Sequence, residues 1–211
     1  MKITILTDNK DSWFVSYGYE LKNQLISKGH EVTYVFCKED ILQGDLCFLL
    51  SCVYIVEQDY LKRNLNNIVV HASDLPKGKG FSPLQWQVME GASSIILTLF
   101  EVVKEVDAGP YYLKRSLDLT GTELYDELRC KLATKIIEMC NEYVDNIKTL
   151  PSIPQTGSET FYRRRSVDDD MLDIEKSILQ QINHLRIADN ENFPLWFIYK
   201  GEKFFLKIYK A

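Results

Sequence analysis

Apolar positions in the first hundred residues fall into short continuous runs, separated by segments with helical spacing. Lys2 to Leu6 is a β-rich run closed by Thr7-Asp8-Asn9. From about Val15 to Ser27, Tyr17, Leu21 and Leu25 recur at i, i+4 and i+8, which is one face of a helix. Lys28-Gly29-His30 predicts its stop, with Gly29 free to take the left-handed C-cap. Glu31 to Phe36, the almost wholly apolar Asp45 to Leu50, and Asn67 to Ala72 predict three more strands, and Ser93 to Glu101 a fifth. Continuous apolar runs between helical segments predict a mostly parallel sheet buried on both faces. A strand–helix–strand start is a doubly wound α/β opening. No G-x-G-x-x-G follows the first strand, which argues against a dinucleotide site.

The second half is organised differently. Thr122 to about Ile147 predicts one long helix, and Pro151 to Ser158 is a linker by composition. Phe161-Tyr162-Arg163-Arg164-Arg165 follows, and Asp168-Asp169-Asp170 is expected to open another helix reaching about Ile187. Two β runs, Leu195 to Tyr199 and Lys203 to Tyr209, close the sequence around a Lys200-Gly201-Glu202 turn. The division predicted is a domain over 1–150 and a small α+β appendage, a helix plus a β-hairpin, over 151–211. Phe193, Trp196, Phe197, Tyr199, Phe204, Phe205 and Tyr209 are more aromatic surface than a lone hairpin buries. The hairpin is therefore expected on the long helix or on a second copy, making a homodimer.

Composition narrows the class. The 211 residues are 45% hydrophobic and 26% charged, enough for one substantial core. A net charge of -5 argues against broad nucleic-acid binding but leaves room for a local basic pocket. The five cysteines are odd in number and contain no C-x-x-C pair, so reduced thiols are expected. No apolar run approaches the roughly 20 residues that cross a bilayer. The start reads as a strand with no basic leader. A cytoplasmic protein with no membrane segment and no metal site is expected.

The candidate chemistry lies in His71-Ala72-Ser73-Asp74-Leu75-Pro76-Lys77-Gly78-Lys79-Gly80 and in Val106-Asp107-Ala108-Gly109-Pro110. His71 lies near the end of the fourth run and Asp107 follows the fifth. In open α/β sheets ligands bind beyond the carboxyl ends of strands. An imidazole and a carboxylate sharing one crevice can orient each other and move protons near neutral pH. Taken singly, the bland readings stand: a structural histidine, an ordinary Pro/Gly turn, and a turn-forming aspartate.

Together the two segments resemble a known family. His71 to Pro83 is similar to the pattern His-x-Ser-Leu-Leu-Pro-x-x-Arg-Gly-x-x-Pro of folate-dependent formyltransferases. Val106-Asp107-Ala108-Gly109 resembles that family's Asp-x-Gly-Asp motif, and Trp86 is also in place. The similarity covers roughly 45 to 150. Tyr162 to Asp170 resembles, more weakly, a segment that follows the catalytic domain of amino-sugar formyltransferases. The resemblance implies a 10-formyltetrahydrofolate co-substrate and a primary-amine acceptor. It implies that His71 positions the formyl group, that Asp107 tunes His71 and helps remove the amine proton, and that Ser73 supports the histidine loop. Its folate pocket would be lined by Val53, Tyr54, Ile55 and Val56 and by Val103 to Asp107, including Val106. Tyr54 reads equally as a pocket wall or as core.

One position departs from the pattern. The family places an asparagine two residues before the histidine, donating to the developing oxyanion; here that position is Val69. Asn67 lies two residues further back, about 6.6 Å along the strand, and does not replace it without a bulge. Losing such a donor costs roughly 3 kcal/mol in the transition state, so either another group serves, such as a backbone amide or the Ser73 hydroxyl, or the enzyme is slow, or the chemistry is lost.

The acceptor is read from the remainder. Residues 151–211 hold nine Lys+Arg and nine Asp+Glu, a poor RNA platform. A small nucleotide-linked amino sugar in surface-glycan synthesis is expected instead, with Lys77 and Lys79 either contacting its diphosphate or merely solvated. Two alternatives use the same residues: hydrolysis of formyltetrahydrofolate, and a folate- or nucleotide-sugar-binding module without turnover.

Overall fold

The computed structural model describes residues 1–211. Its elements in chain order are β1 (Lys2–Leu6), α1 (Val15–Ser27), β2 (Glu31–Val35), β3 (Gly44–Leu49), α2 (Gln58–Leu61), β4 (Asn64–His71), β5 (Lys79–Gly80), α3 (Pro83–Met89), β6 (Ser94–Glu101), β7 (Tyr111–Asp118), α4 (Tyr125–Asn146), β8 (Phe161–Tyr162), α5 (Ile182–Arg186), β9 (Leu195–Tyr199) and β10 (Glu202–Leu206). The fold is α/β, with a six-stranded sheet in the order β2-β1-β3-β4-β6-β7. β2, β1, β3 and β4 are mutually parallel, β6 is antiparallel to β4, and β7 is antiparallel to β6. Five of the six strands thus share one direction, as the apolar runs predict.

Side chains alternate across this sheet with period two. Ile3, Ile5, Leu46, Phe48, Ile68, Leu97 and Leu99 face α1, α3 and α4 in a core of 29 buried residues. Leu6, Cys47 and Leu49 face the other way, with Val56 and Leu61, in a smaller cluster. β4 splits accordingly. Ile68 belongs to the main core, whereas Val69 packs on the smaller cluster, and His71 follows it on the same face by alternation. The sheet therefore projects His71 away from the main core, toward the loops after β1 and β3.

The second half departs from expectation in one element. No helix runs from Asp168 to Ile187. Val167–Asp170 is a single 3-10 turn, Leu179–Gln181 another, and only Ile182–Arg186 is α-helical. The backbone between them is engaged elsewhere: the Leu172 N–H donates to the Trp196 carbonyl of β9 (2.7 Å), and Met171 bridges Trp196 in parallel. The Asp173 N–H is taken by the Gln181 side chain. A β-type partner more than twenty residues away overrides the local helical pattern.

The expected hairpin forms from β9 and β10, but its second strand starts at Glu202 and stops at Leu206 rather than Tyr209, with Lys200 and Gly201 both at positive φ in a two-residue turn. It rests on Leu172, Leu185 and Ala188 through Leu195, Phe197 and Leu206. Arg186, buried, reaches Glu123 just before α4 (3.1 Å), and the Glu123 carboxylate also receives Lys131 and the Thr120 and Gly121 N–H groups. Burial alone would raise that carboxyl, but these partners outweigh it and hold Glu123 well below the usual range. The appendage is thus tied to the sheet domain by a buried charge pair. All five cysteines are free, and no helix is long and apolar enough to cross a membrane.

Candidate active site

The segment after β4 builds the site from backbone. The His71 side chain is about nine-tenths buried, and its Nε2 lies 2.8 Å from the Gly78 carbonyl oxygen. A carbonyl only accepts, so Nε2 carries a proton, and in the neutral ring Nδ1 presents its lone pair. That lone pair faces the Asp107 carboxylate, whose Oδ2 is 3.9 Å away. The same Oδ2 accepts the Gly80 N–H at 2.8 Å. Protonated at Nδ1, the ring would stand as a cation between a carbonyl and a carboxylate.

Asp107 reaches this place by a route the strand order alone does not suggest. β6 runs antiparallel to β4, with Glu101 opposite Ile68 and the Val102 N–H on the Asn67 carbonyl. The β6–β7 loop thus leaves four residues short of His71, roughly 13 Å along β4. It doubles back to bring Asp107 to Gly80. Three features hold the return. Gly109 crosses the Glu101 carbonyl so closely that a Cβ would lie 1.7 Å from its oxygen. The Gln155 amide donates to the Asp107 and Gly109 carbonyls at 3.0 and 2.7 Å. Asp107 itself sits at φ 50°, a conformation Asp tolerates better than most residues. The placement of both groups at carboxyl ends of neighbouring strands is therefore corrected: His71 ends its strand, while Asp107 folds back along the sheet.

Ser73 is buried, its carbonyl accepts the Thr98 hydroxyl (2.7 Å), and its own Oγ has no partner. Val69, in the position of the expected oxyanion donor, packs against the smaller apolar cluster of Leu6, Cys47, Leu49, Val56 and Leu61. Asn67 does not substitute: its Nδ2 donates to the Leu61 carbonyl at 3.0 Å.

The loop after β3 is anchored by Asp8, which accepts the Val53 and Tyr54 N–H groups at 2.6 and 2.7 Å. Its side chains split. Val56 is buried in the smaller cluster beside Val102, whereas Val53, Tyr54 and Ile55 are exposed, Tyr54 to 73%. The core reading of Tyr54 is excluded. Val103 is half-buried and Val106 exposed. The loop thus presents three exposed apolar side chains and is anchored by Asp8, whose Oδ1 is buried and unpaired.

The two lysines part ways. Lys77 is exposed and has no carboxylate partner. Lys79, expected at the mouth beside it, is instead buried, its Nζ 2.6 Å from Glu159. Of the arginines after β8, Arg163 pairs with Asp169 and Arg165 with Asp170, while Arg164 lies over the Phe81 ring (4.4 Å) with no carboxylate. Trp86 stacks on Tyr162 (6.2 Å between centroids) and donates to the Arg163 carbonyl. Burial and the Glu90 carboxylate it donates to push the Tyr162 phenol up to about 12.

No protein-family model matches the chain. A methionyl-tRNA formyltransferase of Mesoplasma florum is 30% identical over 173 residues, which are 78% of this chain and 54% of that protein. The chain spans about half the length of the curated relatives it matches. A solved methionyl-tRNA formyltransferase from Clostridium thermocellum superposes with a TM-score of 0.81 at 23% identity, over 100% of this chain and 93% of that one. The chain is similar in sequence to methionyl-tRNA formyltransferases and shares the fold of the solved one. A sugar N-formyltransferase from a Shewanella species shares the fold, with a TM-score of 0.70 at 14% identity, over 99% and 97% of the two chains. Within this formyltransferase fold, sequence reading identified the His71–Asp107 pair but missed what orients it. The Gly78 carbonyl and Gly80 amide act through backbone, where side-chain patterns carry no signal. Gln155 comes from a segment that reads as linker.

Proposed function

We propose that this protein transfers a formyl group from 10-formyltetrahydrofolate to the amine of a nucleotide-linked amino sugar. The observation that carries the reaction class is the His71–Asp107 pair, held at 3.9 Å by the Gly78 carbonyl and the Gly80 amide. The acceptor class is supported by the Tyr162-Arg163-Arg164-Arg165 segment, by the even charge of residues 151–211, and by shared fold with a sugar N-formyltransferase.

The co-substrate supplies an activated formyl carbon. The acceptor nitrogen bonds to that carbon, the bond to the folate nitrogen breaks, and one proton passes from the amine to the departing nitrogen. Asp107 and the Nδ1 lone pair of His71 are the acceptors at hand for that proton. Once protonated, His71 presents positive charge to the developing oxyanion. Val53 to Val56, with Val103 and Val106, would hold the pterin. Lys77 and the unpaired Arg164 would meet the acceptor's phosphates. Val69 offers no donor to the oxyanion, so the enzyme is expected to be slow.

The test is an assay for tetrahydrofolate release with a panel of nucleotide amino sugars. Release that requires such an acceptor supports the proposal. Formate release without any amine would instead identify hydrolysis, and folate binding without turnover a binding module.

A further inference from the structure

Residues 159–162 lie just past what reads as a linker, outside the predicted catalytic domain, yet they hold the catalytic loop from one side. β8 pairs in parallel with β5. Thr160 grips this loop at two successive amides: its Oγ1 accepts the Gly78 N–H at 2.8 Å, and its carbonyl accepts the Lys79 N–H at 2.9 Å. The second contact matters for His71. The Lys79 N–H and the Gly78 carbonyl belong to one peptide group and point in opposite directions. A single rigid unit thus runs from the Thr160 carbonyl, through the Gly78–Lys79 peptide, to His71 Nε2. Hydrogen bonds in such a chain polarise one another.

The rest of the segment locks this arrangement. Gly78 sits at φ 71°, and a Cβ there would lie 2.9 Å from both Ser73 Cβ and the Tyr162 ring. Glu159 pairs with Lys79 Nζ, whose side chain is only 3% exposed. The Phe81 N–H donates to the Tyr162 carbonyl at 3.0 Å. The next amide in the loop, Gly80, serves Asp107. Both members of the pair are therefore oriented by a loop whose other edge is held by residues 159–162.

We infer that Thr160 is a positioning residue for His71, acting through the Gly78–Lys79 peptide to fix the proton on Nε2 and leave Nδ1 free toward Asp107. The link to turnover rests on the proposed formyl transfer; the tautomer itself does not. With Oγ1 gone, the Gly78 N–H loses its acceptor, the peptide is held at the Lys79 N–H alone, and a glycine backbone can then tilt its carbonyl off the ring.

Long-range nitrogen-15 NMR of the imidazoles reads the tautomer directly. The chain has three histidines, and His71→Asn assigns the signal. The wild type is expected to show a single Nε2–H tautomer. Thr160→Val is expected to give mixed tautomers and about a tenfold or greater fall in kcat, since a wrong tautomer is a severe fault in a His-based site. KM for each substrate should stay within about twofold. Thr160→Ser, which keeps the hydroxyl, should restore both readings. A wild type in the Nδ1–H tautomer overturns the inference, as does a folded Thr160→Val protein with unchanged tautomer and kcat. Should Thr160→Val fail to fold, Glu159→Gln loosens the same segment and is expected to shift the tautomer in the same direction; an unshifted spectrum then overturns it. A wild type without formyl transfer but with the Nε2–H tautomer would reject the activity and leave the positioning role standing.

Discussion

Asp107 is held by what surrounds it more than by its own charge. Its backbone is at positive φ, its carbonyl is held by Gln155, and its carboxylate accepts an amide hydrogen that an asparagine oxygen would accept equally. Asp107→Asn is therefore expected to keep the fold and melting temperature while lowering kcat by about a thousandfold or more, through loss of the carboxylate facing His71. Steady-state kinetics beside a thermal melt checks this, and full activity in the variant would remove Asp107 from the mechanism. Val69 gives a prediction of opposite sign. The side-chain amides nearby are committed, Asn67 to Leu61 and Gln155 to two carbonyls. Val69→Asn is expected to raise kcat about tenfold, less than the roughly hundredfold or more that a fully aligned oxyanion donor supplies. It should cost some stability, because Val69 packs on an apolar cluster. An unchanged kcat would mean that another group already donates, and loss of rate in Ser73→Ala would identify it as the unpartnered Ser73 hydroxyl.

At the scale of elements, legibility followed how local the cause was. α1 spans Val15–Ser27, the range its apolar spacing predicts, because its face is set within its own sequence. The long apolar strands were readable for the same reason. β7 was not read: on this edge strand only Leu113 and Leu117 are buried, and Lys114 and Arg115 interrupt them. The helix expected after Asp168 fails because its backbone pairs with β9, a partner no local window contains. Likewise His71 and Asp107 were legible as residue types, while Gly78, Gly80 and Thr160 work through peptide groups. The Glu123–Arg186 contact between the start of α4 and α5 gives a stability prediction. Glu123 is held below its usual range in the folded protein, so its contribution is fully present above the unfolded carboxylate value of about 4.3 and fades as pH falls through the lower folded value. Melts from pH 7 to pH 3 should show this loss. Glu123→Gln should flatten that part of the profile and cost about 3 kcal/mol at neutral pH, because it leaves Arg186 buried and uncompensated. An unchanged acid profile in the variant would contradict the assignment.

The whole molecule joins a sheet domain that holds the His71–Asp107 pair to a C-terminal part that both braces it and exposes apolar surface. Glu159 to Tyr162 brace the Gly78–Gly80 loop, so the division expected at residue 150 separates segments that are neighbours in space. Beyond them Phe193, Tyr199, Phe204, Phe205 and Tyr209 remain exposed, although one hairpin face already packs on Leu172, Leu185 and Ala188. The homodimer read from this aromatic hairpin is accordingly proposed to form through its uncovered surface. Sedimentation at micromolar concentration should give twice the mass of the 211-residue chain, and Phe205→Glu should return the monomer; a wild-type monomer would contradict this.

The central claim is formyl transfer to a nucleotide-linked amino sugar by the His71–Asp107 pair. The most direct measurement supplies purified protein with 10-formyltetrahydrofolate and, in separate reactions, nucleotide amino sugars or methionyl-tRNA, and identifies the formylated product by mass. The account predicts a formamide on the sugar and none on the tRNA, lost in Asp107→Asn. Formylation of methionyl-tRNA alone, or product formation undiminished in Asp107→Asn, would contradict it.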